Sequence, residues 1–282
     1  MKKSIKIFLS IVLVIMITLA GLFFYAFRIE PFNLNVNDVD ISQNKASSVK
    51  LVQFSDTHIK PDFTHENFQK VVDAINQQNA DIVVFTGDLY DDAPTYSDDK
   101  NIINLLKSIN AKYGKFAVYG NHDYFSYSAT EDTDGYSKIM EQSNFTVLKN
   151  KSKIVKINGK RLFITGLNCS DEDDNNHSTD FADPSNKNSD YNILLSHKPS
   201  TYEKYKDFDY NLILAGHTHG GQIKIPFISF HGSQDQCAGF FAGLYDLGPN
   251  KKLYTNIGIG TTYVSARFRA VPEISVFNLP IQ

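Results

Sequence analysis

The chain reads as an α/β protein of two sheets packed face to face with helices outside, preceded by one membrane-spanning helix. Three observations predict this. From residue 49 short apolar runs alternate with stretches of helical periodicity, the mark of a mostly parallel sheet covered by helices. From residue 145 the runs are shorter and more β-prone, and Asn158-Gly159 separates two of them, so a second, more antiparallel sheet begins there. Residues 5–27 form an apolar segment about as long as the ~20 residues a helix needs to cross a bilayer.

The elements follow in order. Lys2, Lys3 and Lys6 lead the apolar segment, which predicts an N-terminus inside the cytoplasm and the remainder outside. A cleaved signal peptide is the rival, but its apolar region is typically ~7 to 15 residues, and Ala20-Gly21 is followed by Leu22 rather than the cysteine of a lipoprotein. We therefore expect an uncleaved anchor over 1–28, a polar connector over 29–48 with an edge strand near 32–36, and one folded domain over 49–282. Within that domain 49–54, 81–85 and 115–119 read as strands. Thr64 opens a helix with Phe68, Val71, Val72 and Ile75 on one face, and 98–109 is a second helix. The runs 145–148, 153–157 and 161–165 are β-prone, and 171–192 is a polar loop. Further strands are expected at 191–195, 211–215, 222–225, 253–257 and 273–278, with a helix starting near Pro199.

Composition narrows the function classes. A net charge of −3 with 21% charged residues supplies no basic face, so specific nucleic-acid binding is not indicated. The two cysteines, Cys169 and Cys237, exclude a cysteine-based zinc site or a disulfide framework and leave one pairing open.

Most of the eight histidines fall in short motifs, each just after a strand-like run: Asp56-Thr57-His58, Gly87-Asp88, Gly120-Asn121-His122-Asp123, Ser196-His197 and Gly216-His217-Thr218-His219. Strand ends are where α/β proteins present functional groups. Carboxylate and imidazole suit zinc, manganese or iron, and Asp88 has two oxygens with which to bridge two cations. Asn121 offers a carbonyl oxygen, and His122 beside it can face a substrate and protonate a leaving oxygen. Asp123 is expected to orient the His122 ring and raise its pKa. Alone, Asp56-Thr57-His58 and Gly87-Asp88 read more readily as polar turns and Gly120-Asn121-His122-Asp123 is the more specific signal; the order of all five reads as a two-metal hydrolase site. His65, His177 and His231 fit no such pattern and are taken as surface or packing residues. Tyr124, Phe125 and Tyr127 either line an apolar substrate groove or pack the core.

Taken in order, the five motifs resemble the calcineurin-like metallophosphoesterase superfamily, over a span from Asp56 to His219. The run from Gly216 to Ile223 with Pro226, the Gly258-Ile259-Gly260-Thr261 and Pro272-Glu273 segments and Arg267-Phe268 are similar to a bacterial membrane-associated branch. That branch holds cell-wall phosphoesterases and UDP-diacylglucosamine pyrophosphatases, and residues 263–266 depart from its small-residue version. The resemblance implies a four-layer α/β/β/α sandwich of two mixed sheets. It implies one metal on Asp56, His58 and His219, a second on Asn121, His197 and His217, Asp88 bridging both, and His122 as the catalytic residue. It also implies hydrolysis of a phosphomonoester, diester or pyrophosphate, lipid-linked or cell-wall-derived, by a hydroxide bridging two divalent ions (manganese, zinc or iron). A non-catalytic metal-binding scaffold on the same fold is the alternative.

Overall fold

The computed structural model describes residues 3–41, 49–128, 135–168, 188–226 and 237–281, and for 125–128 the backbone alone. In chain order the first half holds α1 (Lys3–Phe24), β1 (Asn35–Val39), β2 (Val49–Phe54), α2 (His65–Gln77), β3 (Ile82–Phe85), α3 (Asp99–Ser108), β4 (Lys115–Ala117), α4 (Asn121–Ser128), α5 (Gly135–Gln142) and β5 (Phe145–Val147). The second half holds β6 (Lys151–Ile157), β7 (Lys160–Gly166), β8 (Tyr191–Leu195), α6 (Tyr202–Tyr205), β9 (Leu212–Ala215), β10 (Gly243–Asp246), β11 (Lys252–Thr255) and β12 (Glu273–Leu279).

Among the described residues the strands form two six-stranded sheets, ordered β1-β12-β2-β3-β4-β5 and β10-β11-β9-β8-β7-β6. Alternate side chains of a strand face opposite ways, and that parity divides the core into layers. Val52, Phe54, Val83 and Phe85 pack outward with Phe68, Val71, Val72 and Ile75 of α2 and Ile102 and Leu106 of α3. Leu51, Ile82 and Val84 point the other way and meet Ile193, Leu195, Leu212 and Leu214 of the second sheet. Leu194 and Ile213 cover that sheet's outer face beneath Tyr202 and Tyr205 of α6. The expected four layers are therefore present. Strands buried on both faces read as continuous apolar runs, which is why β2, β3, β8 and β9 were legible.

Several expectations need correction. The second sheet begins at β6 rather than at residue 145, because β5 pairs parallel with β4 and closes the first sheet. The second sheet is the more antiparallel of the two, as expected, with β6 and β10 antiparallel at its edges and β7, β8, β9 and β11 parallel. Asn158-Gly159 does close the β6–β7 hairpin, with φ of 50° and 83° as a two-residue primed turn requires. Residues 222–225 are not a strand; Gln222 turns left-handed at φ 49° and only Ile223 bridges to Phe268. The edge strand near 32–36 begins later, at Asn35, because Glu30–Phe32 forms a 3₁₀ turn. Two helices, α4 and α5, and the edge strand β10 went unread, although Tyr136, Ile139 and Met140 carry helical spacing. His65 is partly exposed, as expected. The loop over 171–187, His177, His231, Cys169 and the side chains of Phe125 and Tyr127 lie outside the described residues. Tyr124 stacks on Tyr119 at 4.8 Å and packs against the core.

Helix α1 buries no residue and is about 33 Å long at 1.5 Å per residue. It is long and apolar enough to cross a membrane, and it continues through a π-helical turn, Tyr25–Ile29, into the domain.

Candidate metal centre

Five parallel strands, drawn from both sheets, deliver the site at their C-terminal ends. Asp56 and His58 follow β2, Asp88 follows β3, Asn121 and His122 follow β4, His197 follows β8, and His217 and His219 follow β9. The sheets are pinned together beneath it, where Gln53 Nε2 donates to Ala215 O at 2.9 Å and Thr86 Oγ1 at 3.0 Å. All seven expected ligands and His122 converge on one cluster.

The cluster has two halves. Asp56, His58 and His219 offer ligand atoms within 4.8 Å of one another, as do Asp88, His197 and His217. Asp88 Oδ2 lies between the halves, 3.4 Å from His58 Nε2 and 3.2 Å from His197 Nε2. Asn121 Oδ1 and His217 Nδ1 each stand 3.1 Å from His197 Nε2. In the other half His58 and His219 aim their Nε2 atoms at each other across 3.1 Å. Two nitrogens at ~2.0–2.1 Å from one ion subtend about that separation. His122 also comes within ligand reach of His58 and Asp88.

Backbone conformation turns these side chains inward. Asp56, His58, Asp88, His217 and His219 all adopt positive φ, from 41° to 73°, a region that Asp and His enter more readily than most residues. Gly120 is required by close approach, since a Cβ there would collide with the Asp88 carboxylate.

The expected role of Asp123 is corrected. Its carboxylate does not touch the His122 ring; it accepts the backbone N–H groups of Asp88 and Gly120 at 2.8 Å and of Leu89 at 2.9 Å. It therefore ties the loop after β3 to the loop after β4. His122 is held instead by its Nδ1 against Asp91 O at 2.7 Å, while its backbone N–H donates to Asp88 Oδ1 at 2.8 Å. A carbonyl only accepts, so Nδ1 carries the proton and Nε2 is the free nitrogen. The same logic applies to His197, whose Nδ1 sits 2.7 Å from Thr86 O, leaving Nε2 for a ligand role.

The electrostatics favour a cation. Burial alone works against charge on His197, yet Asp88 and Asp56 overcome it and hold its pKa up to about 9. Burial also opposes charge on Asp88, but His197, His58 and His122 hold it well below the usual carboxylate range. Burial pushes Asp56 upward, partly offset by His197. Burial, His58 and the Arg267 cation keep His219 well below the ordinary imidazole value, so it is a neutral lone-pair donor. Asp88 and Asp56 thus favour a positive charge at His197, and imidazole with carboxylate is the donor set a divalent metal takes once it replaces that proton.

Residues 49–221 match the family described as calcineurin-like phosphoesterase. The chain belongs to that family. Among the chain's relatives is the metallophosphoesterase YkuE of Bacillus subtilis, 34% identical over 93% of this chain and 91% of that protein. The UDP-2,3-diacylglucosamine pyrophosphatase LpxG of Chlamydia muridarum is 26% identical over 90% and 92% respectively. A crystal structure of the 5'-nucleotidase of Candida albicans aligns with 80% of this chain and 46% of that one, at TM-score 0.47 and 14% identity.

Two residues that lie against the cluster were not read as site residues. Asp91 brings its carbonyl to His122, and its Oδ1 lies 3.2 Å from His58 Nδ1, out of hydrogen-bond alignment. Its signal was a second carboxylate three residues after Asp88. Arg267, fully buried, donates to the carbonyls of Gly260, Ala270 and Ile257 and brings Nη2 to 3.3 Å from His219 Nδ1. Nothing local marks an arginine 48 residues downstream as a neighbour of His219.

Proposed function

We propose that this chain is a membrane-anchored phosphoesterase that hydrolyses lipid-linked or envelope phosphoesters or phosphoanhydrides at a binuclear metal centre. The observation that carries this is the position of Asp88 Oδ2, within 3.4 Å of histidine nitrogens from both halves of the cluster. Asp56, His58 and His219 would hold one ion, Asn121, His197 and His217 the other, and Asp88 would bridge them. Two such ions supply an acidified water and neutralise the phosphoryl oxygens. Manganese, zinc and iron(II) all suit the donors.

The chain's own residues do the rest. His122, with Nδ1–H fixed on Asp91 O, presents Nε2 toward the reacting group. Burial opposes its charge, but Asp88 and the Asp91 carbonyl outweigh that and raise its pKa above the ordinary value, so it can hold the proton a leaving oxygen needs. The name of the LpxG relative, a pyrophosphatase of a diacylated sugar nucleotide, and the apolar helix α1 support a lipid-linked substrate. The lysines at the N-terminal end of α1 support a domain outside the cytoplasm.

The test uses the full chain in detergent, stripped of metal and reloaded with manganese, zinc or iron(II). It is assayed on bis(4-nitrophenyl) phosphate and a panel of lipid-linked mono-, di- and pyrophosphate esters. Metal-dependent turnover with preference for lipid-linked esters is expected. Stoichiometric metal uptake with no turnover of any ester would instead establish the scaffold reading.

A further inference from the structure

The end of α1 is hydrogen-bonded to a loop of the metal centre. Arg267 N donates to Ala26 O at 2.9 Å, and Ala270 N donates to the buried Glu30 carboxylate at 2.6 Å. A cleft beside these bonds is lined by Arg28, Pro31 and Phe32 from the helix exit and by Thr261 and Ser265 from the loop. The same loop reaches the chemistry through the Arg267 contact to His219.

These bonds set a depth. The 22-residue helix is about as long as the ~30 Å hydrocarbon core. Ala26, two residues past its end, therefore lies at the boundary between acyl chains and headgroups, and a loop bonded to Ala26 O lies there too. That loop has the composition of an interfacial segment. Tyr263 is 98% exposed, held outward by a left-handed backbone at φ 59°, and Val264 beside it is 45% exposed. Gln222 Nε2 donates to Thr262 O and Val264 O, and this joins the loop to the turn carrying exposed Ile225. Arg28 and Arg269 are exposed on either side. An aromatic ring, aliphatic side chains and arginines gathered at one level are what the headgroup zone accommodates. In water the same apolar groups would stand in contact with solvent.

We propose that residues 261–266, with Tyr263 and Val264 at the tip, insert into the headgroup region of the bilayer crossed by α1, and so hold the metal centre against the membrane surface. This rests on reading α1 as a membrane span. The loop then acts as a second contact that fixes the orientation of the domain, which a single helix leaves free to rotate and tilt.

The chain contains no tryptophan, so single-tryptophan variants report position directly. Tyr263→Trp, Leu13→Trp in α1 and Ile154→Trp on the edge strand β6 are made in the full chain. Each is reconstituted into vesicles of phosphatidylcholine and phosphatidylglycerol carrying bromine near the headgroup or near the acyl terminus. Expected are a blue-shifted Tyr263→Trp emission quenched by shallow bromine, Leu13→Trp quenched by deep bromine, and Ile154→Trp quenched by neither. If Leu13→Trp is quenched and Tyr263→Trp keeps its water-exposed emission, the loop proposal falls and the anchor stands. If neither is quenched, the anchor reading falls and takes the loop with it. Quenching of Ile154→Trp as strong as that of Tyr263→Trp would also overturn it, since contact would not be specific to the loop.

Discussion

Asp123 holds Asp88 through the backbone rather than through its side chain: Asp123 Oδ2 accepts the Asp88 N–H at 2.8 Å, and the freed Asp88 carboxylate faces the histidines of both half-sites. Burial and the charge of Asp88 push the Asp123 pKa up to about 7, against the pull of its three N–H donors.

Replacing Asp123 by Asn keeps the shape but exchanges one acceptor for a donor that faces backbone N–H groups. Metal affinity should fall by ~10–100-fold, the usual cost of losing a partner that orients a ligand. Metal titration of Asp123→Asn checks this. Unchanged affinity would show that the loop after β3 holds its shape without the cradle.

His122→Ala should keep its metals and lose turnover by roughly 10²–10⁴-fold, the range of a general acid. The loss should be largest for alkyl esters, which leave poorly, and smallest for 4-nitrophenyl esters. Equal losses on both would argue that the ring positions the phosphoryl group instead. Because His122 also comes within ligand reach of His58 and Asp88, metal content must be measured on the same preparation.

Gly120→Ala places a methyl group against the Asp88 carboxylate and backbone. Overpacking of this kind costs about 1–3 kcal/mol, and here the strain falls on Asp88, the residue proposed to bridge the metals. Lower thermal stability together with reduced metal stoichiometry is expected, by calorimetry and elemental analysis.

Lys115 gives a pH signature remote from the metals. Its ammonium donates to Leu106 O at 2.7 Å, at the C-terminal end of α3, and burial followed by Lys107 lowers its pKa from 10.5 to about 8. Between about pH 8 and 10.5 the unfolded chain binds more protons at this residue than the folded one, so its contribution to stability rises with pH across that window and falls as pH drops through 8. Lys115→Met removes the titration. The melting temperature of the native chain, relative to this variant, should therefore climb between pH 7.5 and 10; a flat difference would place the lysine's pKa at its ordinary value.

The motifs were readable because each sits at the end of a strand buried on both faces, and such strands announce themselves as apolar runs of defined length. Asp56, Asp88, Asn121, His197 and His217 each follow one. Helix α2 was equally plain, since Phe68, Val71, Val72 and Ile75 are all buried. The edge strand β10 was not, because its burial alternates between partial and exposed and leaves little apolar signal. The start of the second sheet was hidden too, as β5 joins the first sheet through a pairing with β4 that no local pattern shows.

By itself, then, the sequence determined the five motifs, the family and an apolar segment of bilayer length, all of which are local properties of residue type and spacing. Tertiary structure decided what those residues do to one another. It put Asp123 on a backbone cradle instead of the His122 ring, Asp91 behind His122, and Arg267 against His219. It also bonded the end of α1 to the loop that carries Arg267. Those contacts join positions up to 241 residues apart, and they arise only when two sheets pack and bring their strand ends to a common edge.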